Sequence, residues 1–135
     1  MTATTEKSDY LLLFRGMDWY RDFSPSELQE KMTAWVGWFN RLSSEGRCKG
    51  GQSLGMEGKV ITGADRRVFD GPFAEAKEAV AGYFLLSVHS EEEALAIAKD
   101  CPGLPYGVIC EVRPLNSSCK ACQEVQAAEL AAARA

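Results

Sequence analysis

The sequence predicts an α+β domain, and three observations predict it. Short apolar runs of strand length alternate with two longer amphipathic stretches, in the order strand, helix, two or three strands, helix, strand. Both long helices carry their own start signals. The most apolar strands, "YLLLF" and "YFLLSV", are apolar on both sides rather than on one.

Residues 1–9 are polar and are read as a flexible N-terminus; the folded domain then runs over 10–115 and a helical tail over 116–135. Tyr10 to Arg15 form the first strand, followed by the loop "GMDWYRDF", whose Trp19 and Tyr20 are candidates for a lid. Ser24-Pro25-Ser26-Glu27 supplies an N-cap serine, a proline at the first helical position and a glutamate three residues after the cap. Leu28, Met32, Trp35, Phe39 and Leu42 then recur at spacings of 4, 3, 4 and 3, which lines one helix face and leaves Trp38 off it. Gly46 ends the helix.

The glycine-rich stretch that follows predicts an irregular strand near 47–54 and a hairpin of strands near 59–62 and 66–69. Asp70-Gly71-Pro72-Phe73 is a turn, "AEAKEAV" a short helical segment, and "GYFLLSV" a buried strand. Ser90 and Glu93 make a second capping box, with Ala94, Leu95, Ile97 and Ala98 on the apolar side of that helix. Pro102 and Pro105 break it, and "GVICEVRP" is the last strand. The alanine-rich tail prefers helix. This order is the ferredoxin-like split βαβ sandwich: an antiparallel sheet with its two main helices on one face. Two helices cover one face only, so the apolar second face predicts a homodimer that pairs through the open sheet face.

Composition excludes several classes. With 135 residues the chain is long enough to bury one core, and its formal charge of −4 offers no basic footprint for nucleic acid. No apolar run is long enough for a membrane span, and the N-terminus lacks the pattern of a signal peptide, so a cytoplasmic location is expected. The five cysteines make no disulfide framework, and the single Cys119-x-x-Cys122 pair has no second Cys/His cluster to complete a metal site. Neither metal nor cofactor is expected.

Candidate chemistry gathers at strand ends. Asp70 has two readings: an acid that bonds its own turn, or a carboxylate on a cleft rim acting as acid/base. Phe73 either plugs the core edge or borders that cleft. Glu111 and Arg113 share a strand face with Ile109, opposite Val108, Cys110 and Val112, and Arg15 closes the first strand. Two arginines near an acid suit a small anionic ligand, since guanidinium grips carboxylate or phosphate bidentately; the alternative is an ion-pair cluster. Tyr83 could orient a ligand through its hydroxyl or simply pack.

"DGPFAEAKE" followed by "GYFLL", "SEEEA" and "EVRP", with "SPSELQEKMTAWVGWFNRL" upstream, resembles the YCII-related, DGPF-containing family over residues 10–115. The resemblance implies a dimeric α/β barrel built from two ferredoxin-like units. It also implies a cleft that in some relatives carries lyase or isomerase chemistry on small molecules without a cofactor. Better-studied relatives use a His–Asp pair with the histidine early in the chain, whereas the only histidine here is His89. Two functions therefore stand side by side: a lyase- or isomerase-type enzyme on a small polar or anionic metabolite, and a non-catalytic metabolite-binding or regulatory module.

Overall fold

The computed structural model describes residues 6–71 and 78–134. Strands β1 (Ser8–Arg15), β2 (Cys48–Ser53), β5 (Val80–Val88) and β6 (Ile109–Pro114) form an antiparallel sheet in the order β2-β5-β1-β6. Strands β3 (Gly58–Thr62) and β4 (Arg67–Gly71) form a separate two-stranded hairpin. The helices are α1 (Pro25–Ser44), α2 (Glu91–Lys99) and α3 (Lys120–Ala133). The fold is α+β, and its strand order is compatible with the ferredoxin-like arrangement. The two strands with the most apolar sequences, β1 and β5, take the central positions of the sheet.

The local signals act as their residue types require. Ser24 Oγ accepts the Glu27 backbone N–H at 3.3 Å, while Glu27 Oε1 accepts the Ser24 N–H at 2.8 Å. At α2, Ser90 Oγ accepts the Glu93 N–H at 3.1 Å, but Glu93 returns to the backbone N–H of His89 rather than to that of Ser90. Glu93 also receives the Arg47 guanidinium at 3.0 Å, which ties the start of β2 to that helix. The expected helical segment after Gly71 lies mostly outside the described residues; Glu78 and Ala79 form a turn and Val80 already belongs to β5.

One sheet face is closed. Leu12, Phe14, Phe84, Leu86 and Val88 meet Trp38 and Leu42 from α1 and Ala94, Ile97 and Ala98 from α2. Trp38, expected off the packing stripe, is 3% exposed, and its ring lies 5.1 Å from Phe84 and 6.0 Å from Phe14. Met32, expected on the stripe, is exposed. The C-terminal half of α1 turns a face made by Trp35, Trp38, Phe39 and Leu42 toward the sheet, broader than a single row of 3–4 spacings.

On the other face Leu11, Leu13, Tyr83 and Leu85 are half-buried and Ile109 is exposed. The register sets Leu11 opposite Leu85 and Leu13 opposite Tyr83, so these side chains form one apolar stripe. The tail does not bury itself: every residue of α3 is exposed, and Ile61 and Val68 of the hairpin are exposed as well.

Candidate functional site

A cavity of about 330 Å³ opens at the end of the sheet where β1 finishes and β5 begins. Phe14 and Gly16 come from the end of β1, Ala81 and Gly82 from the start of β5, and Gly51, Gln52 and Ser53 from β2. Met32, Trp35, Val36 and Phe39 of α1 form the opposite wall, and Trp19 closes one side. Glycine is needed on the floor. A Cβ at Gly51 would stand 2.5 Å from both the Phe84 ring and the Tyr83 carbonyl oxygen, and one at Gly82 would stand 2.9 Å from the Gln52 carbonyl oxygen.

The aromatic wall is braced from behind. Trp35 Nε1 donates to the Tyr106 hydroxyl at 2.7 Å, Trp35 meets Phe14 edge-on at 5.0 Å, and the Trp19 and Tyr106 rings lie 5.1 Å apart. Burial pushes the Tyr106 phenol up, against the opposing effect of the Trp35 hydrogen bond. Among the described lining residues only Gln52 and Ser53 bring polar side chains, and none is an acid or a base. Such walls exclude water and hold a flat apolar molecule; they have no group to move a proton.

The sequence-predicted residues fall into two places. Arg15, Tyr83, Glu111 and Arg113 come together on the open sheet face. Arg15 Nε donates to Glu111 Oε1 at 3.1 Å, Arg15 Nη1 donates to the Glu78 carbonyl oxygen at 3.1 Å, and Arg113 Nε stands 3.8 Å from Glu111 Oε2. Leu13 lies between Tyr83 and Glu111 in register. The Arg15 hydrogen bond holds the Glu111 carboxyl below the usual carboxylate range, against a smaller opposing effect of burial, and the charges of Arg15 and Arg113 add to it. Arg15 is thus occupied by a carboxylate and a carbonyl within the chain.

Asp70 lies elsewhere, on β4, where it pairs with Lys59 across the hairpin at the rim of a second concavity lined by Met56, Glu57 and Gly58. Its side chain is 87% exposed. Phe73 lies outside the described residues. The apolar cavity itself was missed by the sequence reading, apart from Trp19. Its signal was present: Gly51 and Gly82 on paired strands, facing Met32 of the 3–4 stripe and Val36, which that stripe leaves to solvent.

The model of the YCII-related domain matches residues 20–116, almost three quarters of the chain. The chain belongs to this family. The YCII-related match takes in α1 through β6 and leaves all of β1 and all of α3 outside it. A relative in Rhizobium meliloti (strain 1021), the uncharacterized protein R00369, is 47% identical over 49 residues. That alignment covers 36% of this chain and 40% of the relative, so the chain matches less than half of that protein's length. No described helix of this YCII-related protein is long and apolar enough to cross a membrane.

Proposed function

We propose that the chain is a homodimeric small-molecule-binding domain whose cavity takes a compact, largely apolar, ring-bearing compound. The observation that carries this reading is the cavity: a volume at the lower end of ligand sites, aromatic walls, and two side-chain amide or hydroxyl groups at one edge to orient a ligand. Ala81 and Gly82, at the start of β5, contribute to the floor of this site.

Two ferredoxin-like units pairing through the open face, as a dimeric α/β barrel, would cover Leu11, Leu13, Tyr83 and Leu85. In that pairing Arg15, Glu111 and Arg113 serve as a charged frame around the apolar stripe rather than as grips on a ligand. Cytoplasmic residence fits the five free thiols. An enzymatic reading assigns Asp70 as acid/base, with Arg113 and Tyr83 as ligand contacts and a polar or anionic metabolite as substrate. What favours it is the concavity that Asp70 shares with Lys59 and Glu57.

Thermal-shift titration with naphthol, benzoate and succinate separates the two readings. Binding at the apolar cavity predicts that naphthol raises the melting temperature most and that Val36→Trp, which fills the mouth, abolishes the shift. Stabilisation by succinate alone, lost in Asp70→Asn, favours the enzyme. A shift untouched by Val36→Trp overturns the cavity assignment, and a monomer in light scattering overturns the pairing.

A further inference from the structure

The two cysteines at the start of α3 lie outside the matched span and outside the cavity, yet their sulfurs stand within hydrogen-bonding distance of each other. Cys119 is the N-cap residue of α3 and Cys122 is the third residue of the helix. The two sulfurs are 3.1 Å apart, and the Cys122 backbone N–H donates to Cys119 Sγ at 3.4 Å. Both residues are exposed. Because Cys119 has extended backbone angles, its side chain folds back over the first helical turn and meets Cys122 without disturbing the helix.

We propose that Cys119 and Cys122 act as a redox-active dithiol that exchanges with an external disulfide, with Cys119 as the attacking sulfur. Cys119 gives its proton to water, and its thiolate attacks one sulfur of the external disulfide. That S–S bond breaks, the first external thiolate leaves and takes up a proton, and Cys119 is held in a mixed disulfide. Cys122 then loses its proton and attacks Cys119 Sγ, which expels the second external thiolate to be protonated in turn. Two electrons pass from the protein pair to the external disulfide, which ends as two thiols.

The roles follow from the environment. The Cys119 thiol is held below its ordinary value by the hydrogen bond with Cys122 and then by the Cys122 backbone N–H. Cys101 and Cys110 supply an internal contrast. They too are hydrogen-bonded to each other, but Cys101 is 4% exposed, and the Cys110 thiol is pushed up by that bond and by burial. An external disulfide reaches the α3 pair and not the core pair.

The test uses the full reduced chain, exposed separately to glutathione disulfide and to a peptide holding one intramolecular disulfide, then quenched, alkylated and mapped by mass. The expected product is a Cys119–Cys122 disulfide with no retained probe. In Cys122→Ser, glutathione should be trapped on Cys119; in Cys119→Ser, modification of Cys122 should be slower by about tenfold or more. Reaction with only one probe supports the proposal and says whether the natural disulfide is small or protein-borne. Equal trapping by the two single variants, a disulfide that maps to Cys101 and Cys110, or reaction with neither probe overturns it.

Discussion

Leu12 and Leu13 are neighbours in β1 and equally apolar, yet they belong to surfaces finished in different ways. Leu12 is fully buried beneath the two helices, among Phe14, Leu86 and Trp38. Leu13 is half-buried on the face turned away from them, between Tyr83 and Glu111. The covered face is uniformly apolar and closed by aromatic rings. The other is an apolar stripe framed by charge: Asp9 with Lys49 at 3.0 Å on one side, Arg15, Glu111 and Arg113 on the other. A folding core needs no such frame, because ion pairs at its edge contribute little to stability. A surface that must meet another surface in one orientation does need it, since charge fixes register and excludes wrong partners. The alternation of one strand therefore gives one face closed by the helices and one apolar stripe framed by charge, the face that the proposed pairing would use.

The largest way to break this contrast is Leu12→Ala. Removing a side chain with no exposed surface should cost about 3–4 kcal/mol in urea denaturation, whatever the protein concentration. A cost below about 1 kcal/mol would mean that the helix-covered face is loosely packed. Next in size is Gly51→Ala. The added methyl points at the Phe84 ring and at a backbone carbonyl, so either the ring or the strand must shift, at about 1–3 kcal/mol. The same change should reshape the cavity floor and weaken naphthol binding. Unchanged stability with unchanged binding would show that β2 approaches β5 less closely than these distances state.

Which parts of this architecture were legible follows from the range of the interactions. The start of α1 was readable because a capping box is closed within four residues. The two sides of β6 were readable because a strand alternates without reference to its neighbours: Val108, Cys110 and Val112 do face the core, while Ile109, Glu111 and Arg113 face away. Trp38 was not readable. Residues 35, 38, 39 and 42 lie within one broad helix face, and only the position of the sheet decides which of them are pressed against it. The cavity needs glycines from β2 and β5 to coincide with the overhanging half of α1, a coincidence of three distant segments. Asp70 stands apart from the Arg15 cluster because β3 and β4 pair with each other rather than joining the larger sheet.

A smaller effect sharpens the comparison from the open side. Leu13→Ala should cost about 1 kcal/mol in dilute protein, since a half-buried leucine has less surface to lose. If the open face pairs two chains, that cost should grow with protein concentration, because association stabilises the folded state of the parent chain by mass action. Denaturation midpoints for Leu12→Ala and Leu13→Ala over a wide concentration range distinguish the faces. Parallel behaviour of the two variants would reduce them to one kind of surface.

The smallest expected effect concerns the frame itself. The Glu111 carboxyl is held below its ordinary value in the folded chain, so the folded state binds a proton there less readily than the unfolded chain does. Its contribution to stability is complete above the unfolded glutamate value of about 4.3 and is lost as the pH falls through the lower folded value. Glu111→Gln removes that dependence while keeping the size of the side chain. The parent should therefore be slightly more stable than the variant at neutral pH, and the two should converge as the solution is made more acidic. Added salt should shrink the neutral-pH difference, because both partners are partly exposed. A difference that persisted undiminished through acid would have to come from shape or hydrogen bonding, not charge. Glu111 would then belong with the packing residues of the covered face rather than with the charged edge of the open one.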